Sequence, residues 1–167
     1  RSDFFRTDFT QKLIVDYDLL PNQIAFYKMD GNSYSNNYQI DINIEPFDGL
    51  NVGGTFRYTD AKEERQRAAG KTKIFQPMLS RYKGVINLQY KTNMGKWIFD
   101  FTAAINGKSD TYEFMKNLYK EDGSLLYPKG KTPTYPMLYA QITRRFSGFD
   151  IYIGCENITN YRQKYPI

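Results

Sequence analysis

The feature that most constrains this chain is a strict alternation of apolar and polar side chains. Tyr38, Ile40, Ile42 and Ile44 alternate with Gln39, Asp41, Asn43 and Glu45. Successive side chains of a β-strand point to opposite faces, so this segment presents one apolar and one polar face. The pattern returns along residues 50–59, 83–90, 97–106 and 149–156. It predicts an all-β protein whose sheet has one apolar face and one polar face.

The connections between the predicted strands alternate in length. Short turns are predicted at 46–49, 92–95 and 147–148, and long connections at 60–76 and 108–134. The first long connection is predicted to be a charged loop with one helical turn around 63–69. Greek-key sandwiches mix short and long connections, whereas outer-membrane barrels place short turns on one side and long loops on the other. This favours an antiparallel up-and-down meander of about eight strands within a transmembrane β-barrel.

The N-terminal part of the chain is less regular. Residues 2–17 predict one irregular strand, 18–22 a turn, and 23–29 a short strand. Asp30, Gly31 and Asn32 tolerate left-handed backbone, so they predict a hairpin turn before the clean alternation begins.

The alternation assigns the strand residues to two environments. We expect lipid to contact Ile40, Ile42, Ile44, Ile86, Leu88, Phe99, Phe101, Leu138, Ile142, Ile151 and Ile153. We expect the barrel lumen to contact Asp41, Asn43, Arg57, Asn87, Gln89, Asp100, Gln141 and Glu156. Aromatic residues beside the short turns are expected to form an interfacial girdle, and they are Tyr90, Trp97, Phe146 and Phe149. A wet lumen or a polar plug would satisfy the polar face, because buried polar groups without partners cost about 1–3 kcal/mol each.

Composition argues against several classes of function. The chain has no His and one cysteine, Cys155, so zinc, haem, Cys/His nucleophiles and an internal disulfide lack their residues. Asp41, Asp100 and Glu156 fall on three separate hairpins without a nucleophile, so we expect neither catalysis nor a cofactor. The net charge of +5 permits an anionic partner. Its basic residues are scattered through turns and loops, however, so nucleic acid is not expected.

The long connections carry candidate ligand-binding residues. Arg65, Arg67 and Lys71, with Lys73 beside them, could bind an anionic ligand or sugar phosphates of the outer leaflet. Tyr112, Tyr119 and Tyr127, with Phe114, could form a platform of aromatic rings. A solvated loop and a ring cluster without ligand contact are the alternatives, and the sequence leaves them open.

The C-terminal stretch carries a resemblance to a known family. Residues 149–167 read FDIYIGCENITNYRQKYPI. The phrase ENITNY at 156–161 resembles the penultimate strand and following loop of Bacteroidetes-type TonB-dependent outer-membrane receptors. Residues 33–36 with the following hairpin, and FRYTDAK at 56–62, are also similar to barrel segments of that family. The resemblance looks closer to the vitamin, siderophore or metal-chelate branch than to the starch-utilisation branch.

The resemblance implies a fold and a function. Such receptors have a plug inside a roughly 22-stranded transmembrane β-barrel in the bacterial outer membrane. They bind a scarce nutrient (siderophore, cobalamin, metal chelate or glycan) and import it with TonB-coupled energy. The implied partners are outer-membrane lipid, the remaining barrel and plug, the TonB complex through a plug segment, and in some members a surface lipoprotein.

On this interpretation residues 1–167 are a C-terminal segment of the barrel. The sequence lacks the plug, the TonB-contacting segment and the final closing strand, and its first residues do not resemble a signal peptide. An alternative from another class is a soluble β-sandwich that acts as a carbohydrate-binding module, with the apolar face as its core.

Overall fold

A computed structural model describes residues 1–20, 23–67 and 70–162, which form one antiparallel sheet of eight strands. The strands are β1 (Ser2–Leu20), β2 (Gln23–Phe47), β3 (Leu50–Arg67), β4 (Gly70–Phe75), β5 (Tyr82–Lys91), β6 (Trp97–Asn106), β7 (Tyr135–Arg145) and β8 (Asp150–Cys155). Their order across the sheet is β1-β2-β3-β5-β6-β7-β8, with β4 paired to β3. The predicted all-β antiparallel meander is therefore confirmed.

The register places the alternating residues of neighbouring strands in common rows. One row across β2, β3, β5, β6 and β7 contains Ile42, Gly54, Ile86, Ala103 and Leu138. The adjacent row contains Asn43, Gly53, Asn87, Thr102 and Tyr139. Directly opposite residues share a face of the sheet. The first row therefore belongs to a common apolar face and the second to a common polar face.

The predicted charged loop at 60–76 is wrong. β3 continues to Arg67, and β4 pairs with it from Lys62 opposite Phe75 to Arg67 opposite Gly70. The helical turn predicted around 63–69 is strand over 63–67, and positions 68 and 69 lie outside the described residues. The apolar signal ends at Tyr58 because charged residues occupy both faces above it. Backbone pairing does not require apolar side chains, so the strands continue without that signal.

The predicted hairpin turn at 30–32 is also wrong, because β2 continues through it. The β1–β2 register shifts around Thr10, where two residues of β2, Gly31 and Asn32, face one residue of β1. Glycine in a strand often marks such a bulge. The number of strands agrees with the prediction because the loss of this turn is offset by β4.

Residues 76–81 lead from β4 into β5 beside residues 59–61 of β3, and the other connections divide between the two ends of the sheet. Residues 48–49, 92–96 and 146–149 join strands at the end that we call the lower end. At the upper end β1 approaches β2, β3 approaches β4, and the long connection 107–134 joins β6 to β7. The predicted alternation is therefore present, although the first long connection is largely a hairpin. None of the described helices has the length and apolar character needed to cross a lipid bilayer.

Candidate functional site

The apolar face is open along its length. Ile42 is 57% exposed and Ile153 is 74% exposed. All the residues predicted to contact lipid lie on this face, and each is exposed except the half-buried Leu138. Within the described chain no second sheet covers them. The result is a large exposed apolar surface of the kind that soluble monomers avoid. Its contact with lipid stays a prediction.

A row of aromatic rings borders the apolar face at the lower end. It contains Phe47, Tyr90, Trp97, Phe99, Phe146 and Phe149, and we call it the lower ring row. The ring centres of Tyr90 and Phe99 are 6.5 Å apart, and those of Phe146 and Phe149 are 4.8 Å apart. The Arg144 guanidinium lies over both the Trp97 and Phe146 rings, so the four residues predicted as a girdle lie in one row. Phe47 belongs to the same row because a register shift in β2 turns it onto this face.

A second row, which the sequence reasoning missed, borders the same face towards the upper end. The upper ring row contains Phe4, Tyr38, Phe56, Tyr58 and Tyr82. The distance between aromatic residues along the strands could have indicated this second row. Leu50 lies opposite Tyr90 and Tyr58 lies opposite Tyr82 on β3 and β5. The interval corresponds to about 26 Å of strand at about 3.3 Å per residue. Arg144 of β7 lies on this face opposite Trp97, at the level of the lower ring row, and its guanidinium is 4.7 Å from the Trp97 ring centre. Above it, the apolar-face positions of β2, β3, β5, β6 and β7 between the two rows carry no charged side chain.

The polar face is tied together by cross-strand hydrogen bonds. Thr55 Oγ1 donates to Asp41, and Thr102 Oγ1 donates to Asn87, both over 2.8 Å. Gln89 Nε2 donates to Asp100 over 2.8 Å. The residues predicted to contact the lumen share this polar surface, namely Asp41, Asn43, Arg57, Asn87, Gln89, Asp100, Gln141 and Glu156. Hydrogen bonding thus satisfies several of these groups in the absence of a second packed layer.

A buried network of charges occupies the polar face at the upper end. We call it the charge cluster, and it consists of Lys12, Asp16, Asp18, Glu63, Arg65 and Arg67. Asp16 is 0% exposed and Arg65 is 3% exposed. Arg65 binds Glu63 at 2.6 Å and Asp16 at 3.1 Å, and Arg67 binds Asp16 at 2.8 Å. Its three basic and three acidic side chains balance, which a buried cluster requires.

Opposing effects set the pKa values inside the charge cluster. Burial raises the pKa of Asp16, but hydrogen bonds from the Tyr27 hydroxyl at 2.7 Å, the Asp18 N–H and Arg67 outweigh it, so the pKa is lowered. Burial lowers the pKa of Arg65, but Glu63 and Asp16 outweigh that effect and raise it. Both groups are therefore charged at neutral pH.

The connection 107–134 folds onto the charge cluster. The Asp18 carboxylate accepts the backbone N–H groups of Glu113 and Phe114 over 3.0 and 3.1 Å. The Arg65 guanidinium lies 5.2 Å from the ring centre of Tyr112. At the base of the connection, Asp110 binds Arg81 at 2.6 Å and Lys131 at 3.3 Å. These contacts make the connection an ordered cover at the upper end of the polar face.

The structure brings together three of the six predicted ligand-binding residues. Arg65, Arg67 and Tyr112 meet at the charge cluster, where carboxylates of the chain already engage both arginines. An anion would have to displace those carboxylates, so in this structure the arginines bind side chains of the chain itself. The other three lie apart: Lys71 on β4, Tyr119 exposed beside Leu125, and Tyr127 buried within the connection. Their binding role stays a prediction.

An open cleft lies beside the charge cluster. Its volume is about 680 Å³, and its walls include Tyr17, Asp18, Phe114 and Asn117. Tyr17 and Asp18 were not candidates from the sequence, because nothing there shows that the end of β1 meets the connection 107–134.

Among the described residues, no three His, Cys, Asp or Glu side chains are placed so that they could hold a metal ion. Neither a protein-family model, nor a curated protein sequence, nor a solved structure matches the chain.

Proposed function

We propose that this chain forms part of the barrel wall of a TonB-dependent receptor in the bacterial outer membrane. The receptor binds a scarce nutrient, such as a siderophore, cobalamin, a metal chelate or a glycan, and imports it with TonB-coupled energy. One observation carries the proposal: an exposed apolar band that carries no charge above Arg144 and is bounded by two rows of aromatic rings. Residues 1–167 then belong to a roughly 22-stranded barrel.

The dimensions of the band support a membrane. The two ring rows are about 26 Å apart along β3, and a strand tilt of about 40° reduces this to about 20 Å across a bilayer. Barrels of this class have an apolar band about 25 Å tall between aromatic girdles. Lipid tails would remove the exposed isoleucines from water, which is worth about 25 cal/mol per Å² of apolar surface.

The polar face suits a water-filled lumen that holds a plug. Its cross-strand hydrogen bonds satisfy many polar groups without excluding water. The cover formed by 107–134 then lies at the extracellular mouth, beside the open cleft. The C-terminal phrase ENITNY supports the choice of receptor class by resemblance.

The soluble β-sandwich gains no comparable support. A sandwich buries its apolar face beneath a second sheet about 10 Å away. The described residues form one sheet, and its apolar face is exposed. No observation on the described residues favours a carbohydrate-binding module over the receptor.

Spin labels on adjacent residues test the membrane placement. In a Cys155→Ser background, labels at Ile42→Cys and Asn43→Cys occupy opposite faces of the same strand. In protein reconstituted into vesicles, we expect the first label to be relaxed by oxygen dissolved in lipid and the second by a water-soluble nickel complex. Burial of the Ile42 label from both reagents would overturn the proposal in favour of a sandwich.

Growth tests address the transport step. A strain that lacks the gene should lose growth on one limiting source among iron chelates, cobalamin and glycans, and a TonB-deficient strain should show the same loss. Uptake that does not require TonB would contradict the receptor class.

A further inference from the structure

Charged side chains of both signs occupy the apolar face above the upper ring row, and two of them are lysines. Lys62 follows Tyr58 on β3 by four positions and lies opposite Phe75 of β4, and Lys73 precedes Phe75 by two positions. Every second residue of a strand shares a face, so Lys62, Lys73 and Phe75 continue the apolar face upwards. The two lysines are diagonal neighbours on paired strands, within reach of a common ligand.

Aromatic rings hold these basic side chains in place. The Lys62 ammonium lies 4.8 Å from the ring centre of Phe75, and the Lys73 ammonium lies 5.0 Å from that of Tyr34. The Arg6 guanidinium lies 4.9 Å from the same Tyr34 ring. A ring attracts a cation through its electron-rich face but does not neutralise its charge. The ammonium groups are therefore positioned and remain charged.

Three carboxylates among the described residues share this face, and none forms an ion pair with either lysine, although the charge of Lys73 acts on Asp8. Asp8 accepts hydrogen bonds of 2.8 to 3.0 Å from Arg6, and Asp60 accepts one of 3.3 Å from the Tyr34 hydroxyl. Glu64 lies directly opposite Lys73 on the paired strands, and its side chain packs over Gly31. In the described part of the chain, neither Lys62 nor Lys73 forms an ion pair. Both can therefore accept an anion from outside the chain.

We propose that Lys62 and Lys73 bind the phosphate of a lipid headgroup in the leaflet beside the upper ring row. This inference rests on the proposed function, which supplies the membrane. Aromatic rings of membrane proteins lie at headgroup level, and lysines beside them reach towards the lipid phosphates.

The occupant is a lipid because an apolar trough lies lower on the same face, below Tyr58 and Asp60 of β3. Small residues in the sheet, Gly54, Gly84 and Ala103, open a trough of about 560 Å³ between larger apolar side chains. It begins beside Phe56 in the upper ring row and descends past Ile86. A lipid whose phosphate is bound above this row would extend its acyl chains down the face towards the trough. A free phosphate would make no contact with the trough.

Lipid enrichment around the protein tests the inference. The wild type, Lys62→Gln/Lys73→Gln, and the control Lys120→Gln/Lys129→Gln are each reconstituted into vesicles of phosphatidylcholine with or without phosphatidylglycerol. The control pair contains one half-buried and one exposed lysine, as does the test pair, but lies on the connection 107–134. The lipids retained after extraction into polymer-bounded discs are then quantified, with inorganic phosphate added in a parallel arm.

We expect several-fold enrichment of phosphatidylglycerol around the wild type and the control, and its loss in the Lys62→Gln/Lys73→Gln protein. Enrichment that survives this double substitution, disappears equally in the control, or is abolished by inorganic phosphate at constant ionic strength would overturn the inference. So would the absence of enrichment around a wild type that inserts into both kinds of vesicle. A wild type that inserts into neither kind would instead contradict the proposed function.

Discussion

The Arg65 guanidinium donates a hydrogen bond of 3.1 Å to the Asp16 carboxylate, although 49 positions separate the two residues. This contact links β3 to β1 across the intervening β2, and both side chains are buried. Arg65 also lies against Tyr112 of the connection 107–134. One guanidinium therefore couples two strands to the cover. Desolvation offsets much of the attraction in a buried ion pair. We therefore assign Arg65 mainly the role of positioning the connection 107–134 against β1 and β3.

Removing Arg65 should release the cover. Arg65→Met leaves Asp16 and Glu63 buried with fewer positive partners, and loss of one member of a buried pair costs about 3–5 kcal/mol. Hydrogen exchange should show faster exchange of the amides of 12–16 and 112–115, with little change at the lower end.

Arg6→Ala is the matched control, since Arg6 forms an exposed ion pair with Asp8. It should leave exchange at the upper end unchanged because solvent screens that pair. Unaltered protection of 112–115 in Arg65→Met would show that the charge cluster does not hold the connection.

Acid should loosen the base of the same connection. Burial raises the pKa of Asp110, but the hydrogen bond and charge of Arg81, with Lys131, outweigh it and lower the pKa below the ordinary value of 3.8. A carboxyl with a lowered folded-state pKa contributes stability that is full above its ordinary pKa of 3.8 and is lost as the pH falls through the lowered pKa. The ion pairs should therefore hold from neutral pH down to about pH 4 and weaken below it.

A spin label at Lys129→Cys, in the Cys155→Ser background, would report this change as increased mobility below about pH 4. Asp110→Asn should already be mobile at neutral pH, because the amide cannot pair with Arg81 or Lys131 as a charge. A mobility transition centred near pH 6 would contradict the assignment to a carboxylate with a lowered pKa.

The turn at Gly49 should tolerate no side chain. Gly49 has φ of +87°, and an added Cβ would lie 2.3 Å from the backbone oxygen of Lys91. Gly49→Ala combines backbone strain with a clash against β5, so we expect destabilisation of more than about 1 kcal/mol. Gly148→Ala is the control, because nothing lies within 4 Å of its added Cβ and its φ is not positive. Denaturant titration would compare them, and equal midpoints would refute the predicted constraint.

The sequence predicted the lower part of the sheet more successfully than the upper part, for a physical reason. From Tyr38 to Ile44 a slip of one residue would move every apolar side chain to the other face, so the alternation specifies both strand and register. Above Tyr58 both faces carry charged residues, so the same signal disappears although pairing continues to Arg67. The turn propensity of Asp30, Gly31 and Asn32 predicted a turn where the strand has a bulge.

The candidate site was less predictable because its contacts are distant in sequence. Arg65 and Tyr112 were candidates from residue type, yet Asp16, which pairs with Arg65, lies on β1 and becomes its neighbour only through the strand order. The upper ring row was missed for a related reason. Phe4 joins Tyr38 through the β1–β2 register, which the irregular first strand did not indicate.

Adjacent residues of β5 give the sharpest test of the two faces. Ile86 lies on the apolar face between the ring rows, and its neighbour Asn87 lies on the polar face. On the proposed function, Ile86→Arg places a charge near the bilayer midplane, where it should cost about 2–4 kcal/mol of folding free energy. Asn87→Arg introduces the same side chain beside water and should cost less than about 1 kcal/mol. Urea titrations of both variants in phosphatidylcholine vesicles would measure the difference. A larger cost at Asn87 than at Ile86 would mean that the apolar face is not in lipid, because the same arginine is introduced on opposite faces of one strand.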